Sequence, residues 1–270
     1  MFDGVQCPCI LLQLVATGKP LSTAGMMIED RTRTFIIAME RTVVPENFSF
    51  RMTDEEYRVL EKIKNSIPVC YLADHADFAL GIVTGNNKKF LSAEKTEHSE
   101  MVLKGTDICK YHINPAKQYL RFEPEQFQQV APLEIYRAPE KLLYRFISNQ
   151  LVVAYDDRQM LSLNSCNIVI PKIEGMQIKY ILAILNSSVS QFVYQKEFHS
   201  IKVLRAHMEH IPIPRVGKAI QNEIIAMTEP LICGMGKEAA ETCQKRLDCR
   251  IMDLFRLSAE EQWIIRHALH

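Results

Sequence analysis

No apolar run in this chain approaches the roughly 18 residues that span a membrane, so no membrane partner is expected. An excess of one charge is missing as well: 32 Lys and Arg stand against 32 Asp and Glu among 270 residues, a formal net charge of zero. That excludes a uniformly basic nucleic-acid coat and leaves room for a local basic face. Ten glycines and twelve prolines are too few for a collagen-like or low-complexity chain. The eight cysteines, at positions 7, 9, 70, 109, 166, 233, 243 and 249, lack the regular spacing of a disulfide framework. Free thiols in a reducing, cytoplasmic setting are the expectation. The apolar run from Cys9 to Val15 has no basic leader and follows Asp3, so it does not read as a secretory signal.

Catalytic and cofactor motifs are also missing. There is no G-x-G-x-x-G and no Walker A loop to cradle a nucleotide, and neither G-x-S-x-G nor H-E-x-x-H occurs. Asn114-Pro115-Ala116 lacks the second proline and the aromatic with which an adenine methyltransferase grips its base, and reads as a turn. None of the 17 lysines has Asp or Glu two positions before it, the spacing with which a common nuclease site binds Mg²⁺. Cys7-x-Cys9 is too short for a zinc knuckle, and Cys243 with Cys249 has no second pair at knuckle spacing. His207-x-x-His210 shares a helical face but has no acidic third ligand nearby in sequence, and reads as a solvated pair. No catalytic, cofactor-binding or metal-binding residue is assigned, and no cofactor is expected in this chain.

What is present is 47% apolar and 24% charged, the profile of a globular protein. The runs Cys9 to Val15 and Thr34 to Met39 read as strands. Thr53-x-x-Glu56 is a capping box that opens a helix from about Asp54 to Asn65. Short β-type runs follow: Leu80 to Val83, a Thr84-Gly85-Asn86-Asn87 turn, Lys88 to Leu91, Tyr119 to Phe122, Lys141 to Ile147, Leu151 to Tyr155, Met160 to Leu163 and Asn167 to Ile170. After Pro171 the apolar period becomes 3.6, with Ile178, Ile181, Leu182, Leu185, Val189, Phe192 and Val193 on one face of a long helix. A short helix near Val203 to His210 precedes the extended Ile211-Pro212-Ile213-Pro214, a helix pair interrupted near Gly234 and Gly236 follows, and the Ser258-x-x-Glu261 capping box opens a last helix. The fold class expected is α+β: a mixed, sheet-rich core with a long packing helix and a C-terminal helical region.

Charge is uneven along the chain. Residues 79–121 carry seven basic against four acidic side chains, and residues 137–206 carry nine against five, whereas both ends are mildly acidic. The surplus coincides with the loops. It suits a surface that neutralises phosphates, and equally a solvated face.

Six blocks bear on that choice. DFALGIVTGNNKKF from Asp77 to Phe90, LKGTDICKYH from Leu103 to His112, PEKLLYR from Pro139 to Arg145, LNSCNIVIP from Leu163 to Pro171, YILAILNS from Tyr180 to Ser187 and HIPIP from His210 to Pro214 follow one another. In order and spacing they resemble the TaqI-like C-terminal specificity domain, across about residues 55–215. The resemblance implies the target-recognition part of adenine-specific DNA methyltransferases and of single-chain, type II restriction-modification enzymes. It also implies double-stranded DNA as ligand and a methyltransferase domain as partner, in cis or in trans, that would use S-adenosylmethionine.

Carried over residue by residue, it puts Thr84, Asn86, Asn87, Lys88 and Lys89 in the family's Gly-Asn turn, Lys104 in its Lys-Gly block, Lys141 and Arg145 on one strand, and Asn164 with Ser165 before the next. Lys202 and Arg205 are further candidates for phosphate contact. Against this, Asn86 could simply serve a hairpin, and Arg145 could pair with Asp156 or Asp157. The expected organisation is residues 1–50 as remnant edge strands resembling the end of a methyltransferase domain, 51–216 as the recognition domain and 217–270 as a C-terminal helical segment. The chain itself is expected to be non-catalytic. The alternative is a module of a modification or defence complex that docks proteins without reading DNA, with an exposed apolar patch around Trp263.

Overall fold

The computed structural model describes residues 22–29, 33–41, 51–198 and 200–269. Two compact units divide the chain, Met1–Phe50 and Arg51–His270. In the first, β1 (Met26–Glu29) and β2 (Thr34–Ile37) form an antiparallel pair with Met26 opposite Ile37. Thr23 anchors its open end, donating through Oγ1 to the Met39 carbonyl at 3.0 Å and accepting from the Arg41 amide at 2.8 Å. The strand expected from Cys9 to Val15 lies outside the described residues.

The second unit opens with α1 (Asp54–Asn65), where sequence dictates both ends. Thr53 Oγ1 accepts from the Glu56 amide at 3.2 Å while the Glu56 carboxylate accepts from the Thr53 amide at 3.0 Å. Asp54, Glu55 and Glu56 meet the positive end of the helix dipole, and Lys62 and Lys64 the negative end. There follow β3 (Val69–Cys70), β4 (Ala76–Ala79), the helical turn α2 (Asn87–Phe90), β5 (Leu91–Ser92), β6 (Glu100–Leu103), β7 (Tyr119–Leu120) and the turn α3 (Leu133–Tyr136). Four strands come next: β8 (Lys141–Arg145), β9 (Val153–Asp156), β10 (Leu161–Ser162) and β11 (Cys166–Pro171). The C-terminal part holds α4 (Ile178–Asn186), α5 (Ser188–Glu197), α6 (Arg205–Glu209), β12 (Ile213–Pro214), α7 (Lys218–Ile232), α8 (Lys237–Leu254) and α9 (Ala259–Ala268). The class is α+β.

The central sheet runs in the order β4-β11-β8-β9, antiparallel throughout, and strand alternation divides its side chains between two cores. Leu142, Tyr144, Val153, Tyr155 and Val169 enter a helical core with Ile181, Leu185, Phe192, Ile224 and Ile251. Leu143, Ala154, Cys166 and Ile168 enter a second core with Val102, Leu103, Leu120 and Leu161. That second core lies under a smaller sheet of order β10-β6-β7-β5. The C-terminal helices α7 to α9 contribute Ile224, Leu247 and Ile265 to the first core.

Three elements depart from expectation. Leu80 to Val83 do not form a strand: β4 ends at Ala79, and Ile82 and Val83 make only isolated bridges, to Leu163 and Gln129. Residues Lys88 to Leu91 do not form a strand, because Asn86 accepts from the Lys89 amide at 3.2 Å and caps α2 instead. The single long helix expected after Pro171 is broken at Ser187, whose ψ of 158° is extended. Its hydroxyl donates to the Ile184 carbonyl at 2.7 Å and accepts from the Ser190 amide at 3.2 Å, ending α4 and starting α5. The apolar stripe continues across the break, since both helices face the same core.

Side-chain amides seal the outer edge of β9. Asn186 Oδ1 accepts from the Val153 amide at 3.1 Å and its Nδ2 donates to the Val153 carbonyl at 2.8 Å, while Gln191 makes the same pair of bonds with Leu151 at 2.9 and 3.0 Å. The Tyr111 backbone completes the cover, its N–H donating to the Val153 carbonyl at 2.7 Å and its carbonyl accepting from the Tyr155 amide at 3.1 Å, so the edge from Leu151 to Tyr155 offers no free ladder to another chain. Asn186→Leu, close in size, would leave the Val153 N–H buried without an acceptor. Urea unfolding should show a loss of about 1–3 kcal/mol with an unchanged m-value.

Candidate nucleic-acid interface

Several segments meet at one end of the two sheets, and Ser165 joins most of them. The Gly105 amide donates to Ser165 Oγ at 3.0 Å and the Phe146 amide to the Ser165 carbonyl at 3.0 Å. The Asn164 amide donates to the Ile82 carbonyl at 3.1 Å and the Leu163 amide to the Leu103 carbonyl at 2.8 Å. Beyond Phe146, the Val203 amide reaches the Phe146 carbonyl at 2.8 Å and the Ser148 amide the Ile201 carbonyl at 2.9 Å. Two glycines allow the approach. A Cβ on Gly81 would lie 2.1 Å from the Leu163 carbonyl oxygen, and one on Gly105 would lie 2.5 Å from that of Ser165.

The sequence-derived candidates fall into three groups. Asn86, Asn87, Lys88, Lys89, Asn164 and Lys202 are exposed, and Lys104 and Ser165 are half-buried, with the Lys104 amide bound to the Asp107 carboxylate at 2.8 Å. Arg205 is exposed but its Nε lies 2.7 Å from Glu209 Oε1, and its guanidinium covers the Phe78 ring at 5.2 Å. Three candidates point elsewhere. Thr84 is buried and donates to Asn87 Oδ1 at 2.6 Å, so it fixes the loop instead of presenting itself. Arg145 is half-buried and donates through Nη2 to the Ile108 carbonyl at 2.5 Å; it pairs with neither Asp156 nor Asp157 and serves to hold the 105–108 turn.

Lys141 is the largest correction. Its side chain is 0% exposed, on the sheet face that enters the second core, with Nζ 2.6 Å from Asp156 Oδ2 and donating to the Tyr136 carbonyl at 2.6 Å. Burial lowers its pKa and the Asp156 carboxylate opposes that shift. Asp156 also accepts from the Arg158 and Met160 amides at 2.9 and 3.0 Å. A lysine committed in this way cannot contact DNA.

Three exposed amides escaped the sequence reading: Gln126, Gln128 and Gln129 lie beside the Thr84–Phe90 loop. Val83 forms an antiparallel bridge with Gln129, and Lys89 Nζ is 3.5 Å from Gln126 Oε1. The signal was available in Gln126-Phe127-Gln128-Gln129, where one apolar residue anchors three amides; Phe127 packs edge-on against Phe90 at 5.4 Å. His207 also differs from the solvated pair expected of it. It is buried, stacks on Phe198 at 4.5 Å and accepts at Nδ1 from the Leu204 amide at 3.2 Å, while His210 is exposed.

A groove of about 610 Å³ runs along β4, but its charged members, Asp77 and Arg205, are each engaged in an ion pair, with Lys172 and Glu209. Among the described residues no three His, Cys, Asp or Glu side chains cluster as metal ligands, and no helix is long and apolar enough to cross a membrane.

Residues 100–213 match the model of the TaqI-like C-terminal specificity domain. Over that segment the chain resembles such a domain. The matched segment begins at β6 and ends in β12, so it contains Lys104, Asn164, Ser165 and Lys202, while the Asn86–Lys89 turn lies before it. Among curated proteins no match is found. The chain is similar to a solved structure of a type I restriction-modification system (12% identical, TM-score 0.43, covering 80% of this chain and 52% of that one). It is similar to the type IIL restriction-modification enzyme MmeI in complex with DNA (11% identical, TM-score 0.49, 74% and 35%). A third is the HsdS subunit from Thermoanaerobacter tengcongensis (14% identical, TM-score 0.40, 80% and 50%). This chain thus spans about a third to a half of the length of those chains.

Two measurements check the placement of these side chains. Lys141→Ala leaves Asp156 buried without its cation and should cost about 3–5 kcal/mol in chemical denaturation, whereas Lys88→Ala, at the exposed turn, should change stability by less than about 0.5 kcal/mol. Burial lowers the pKa of His207, while the Lys202 carbonyl favours its proton. Below pH 6.5 the unfolded chain therefore takes up a proton that the folded one resists. Stability should fall as pH drops from 7 through the folded pKa and level off beneath it, and His207→Gln should flatten that slope.

Proposed function

We propose that this chain is the DNA sequence-recognition module of a restriction-modification or adenine-N6 methylation enzyme. The specificity domain reads double-stranded DNA and sets the site at which a methyltransferase domain acts. One observation carries the reading: the specificity-domain segment gathers Lys104, Asn164, Ser165 and Lys202 on one strand-end surface, and the Asn164–Ile82 hydrogen bond joins that surface to the Asn86–Lys89 turn. Lysine ammonium groups there suit phosphates, and amides such as Asn86, Asn164 and Gln128 suit the N6 and N7 edge of adenine.

The methyltransferase domain, with its S-adenosylmethionine, is a partner of this module. We favour a single-chain, type II arrangement, with residues 1–50 as the last strands of that domain; the β1–β2 pair supports this reading. The chemistry would then reside outside the described module, which contributes affinity and choice of site. The docking alternative draws on Trp263, which is 57% exposed and stacks on His267 at 3.8 Å. An aromatic so exposed suits a protein contact.

Selection of the purified chain on a random-sequence duplex pool at two salt concentrations decides between them. The expected result is enrichment of one short motif, with affinity that falls steeply as salt rises. Replacing both Lys88 and Lys89 by Ala should reduce the slope of log K against log salt by about 1 to 2 and leave the selected motif unchanged. Absence of duplex binding at low salt would leave the docking reading in place.

A further inference from the structure

The amides in and beside the Thr84–Phe90 loop are set apart by their hydrogen bonds. Asn86 turns its carbonyl oxygen to the Lys89 amide at 3.2 Å, and Asn87 Oδ1 accepts from the Thr84 hydroxyl at 2.6 Å. Gln126 is engaged at both ends, donating to Glu123 at 2.9 Å and placing Oε1 3.5 Å from Lys89 Nζ. Gln129 lines the groove along β4. Gln128 is exposed, and among the described residues its amide has no hydrogen-bond partner.

The position of Gln128 is nonetheless fixed. The residue after it, Gln129, exchanges backbone bonds with Val83 at 2.9 and 3.1 Å. The residue before it, Phe127, is buried against the rings of Phe90 and Phe122, at 5.4 and 6.0 Å. The side chain itself lies on the turn at Gly85: a Cβ there would stand 3.4 Å from Gln128 Cβ and 3.6 Å from its Oε1. Gly85 has a φ of 76°, a left-handed conformation that glycine adopts without strain, so the amide rests against bare backbone.

A free carboxamide on a side chain held in this way presents one acceptor and one donor side by side. In the major groove adenine offers the complementary pair on a single base, the N6 donor beside the N7 acceptor, whereas guanine offers two acceptors and suits Arg or Lys. The surroundings suit a polyanion. Lys88 and Lys89 are exposed on the turn, while on the 123–126 segment Glu123 is held by Arg121 at 3.0 Å and Glu125 is exposed, so the cations outnumber the unpaired carboxylate.

We propose that Gln128 reads an adenine of the recognised duplex in the major groove, through N6 and N7, while Lys88 and Lys89 hold adjoining phosphates. This rests on the DNA-recognition reading and deepens it: the choice of one base falls to a residue outside the Gly-Asn turn, and affinity falls to the turn. The two roles separate by chemistry, since ammonium groups bind any sequence and the amide discriminates.

The test uses the 270-residue chain and selection from the random duplex pool, repeated with Gln128→Ala and with Gln128→Glu. The wild-type motif should contain an adenine whose preference Gln128→Ala abolishes at that position and no other, with affinity for the wild-type site reduced about tenfold and the salt slope unchanged. Gln128→Glu should move the preference there to cytosine, whose N4 donates to a carboxylate. Replacing that adenine by 7-deazaadenine, which lacks the N7 acceptor, should weaken the wild-type chain several-fold and leave Gln128→Ala unaffected. Gln128 is exposed, so both variants should keep the wild-type melting temperature. A motif unchanged in Gln128→Ala, a loss spread evenly over all sequences, or a 7-deazaadenine effect that persists in Gln128→Ala would overturn the assignment while leaving DNA recognition standing. Failure of the wild-type chain to bind any duplex would sink the recognition reading and the role of Gln128 together.

Discussion

The central sheet has to be covered on both faces, and most of the unit follows from that requirement. A strand buried on both sides carries apolar residues at successive positions, as Leu142-Leu143-Tyr144 and Ile168-Val169 do, and each face then demands its own layer. Helices α4, α5, α7 and α8 supply one. The small sheet with its loops supplies the other, and that second layer carries the polar residues proposed to meet DNA. The proposed recognition surface is thus an outgrowth of a covering layer whose first task is to bury Leu143, Ala154 and Ile168.

A charge inside such a sheet needs an answer, and Lys141 receives three: Asp156 directly across the β8–β9 register, the Tyr136 carbonyl from α3, and the turn amides of Arg158 and Met160 acting on Asp156. A pair of this kind adds little net stability, since desolvation of both ions offsets their attraction. What it adds is register. A slip of one residue between β8 and β9 would move Lys141 away from its partner and onto a bare apolar face, so only one alignment leaves both charges satisfied. That alignment also fixes Arg145 at the far end of β8, where it holds the 105–108 turn and with it Lys104.

The parts of the fold legible in sequence were those encoded locally. The capping boxes at Thr53 and Ser258 marked both helix starts because a cap needs only four residues to form. What escaped depended on partners distant in sequence. Alternation along β8 could not distinguish a lysine facing solvent from one facing Asp156, fifteen residues later on the neighbouring strand. At Asn86 the same side chain suits a hairpin and a helix cap, and the bond to the Lys89 amide decides for the cap. The break at Ser187 was hidden because the apolar period runs through it. His207 was misread for a related reason: its burial against Phe198 is a tertiary fact that no spacing with His210 contains. The site divides in the same way. Exposure of Asn86, Asn87, Lys88, Lys89 and Asn164 fits their place in loops, while Gln126, Gln128 and Gln129 came to the surface beside the Thr84–Phe90 loop through the Val83–Gln129 bridge.

Recognition by a surface of this kind depends on how firmly its side chains are held. Asn164, Ser165 and Lys104 stand on strand ends fixed by backbone bonds of 2.8–3.1 Å, and the glycines at 81 and 105 let those ends approach more closely than any other residue would allow. The Asn86–Lys89 turn is held differently, by its own cap and by Thr84, without a sheet behind it. Under the DNA-recognition proposal, these two kinds of support would meet two demands of sequence reading. Rigid strand ends would keep register on the DNA backbone, while the locally stabilised turn could change its side chains, and so its base preference, without disturbing either core. The firmness originates in the doubly covered sheet, which is why a buried lysine with no access to DNA bears on how the exposed ones are placed.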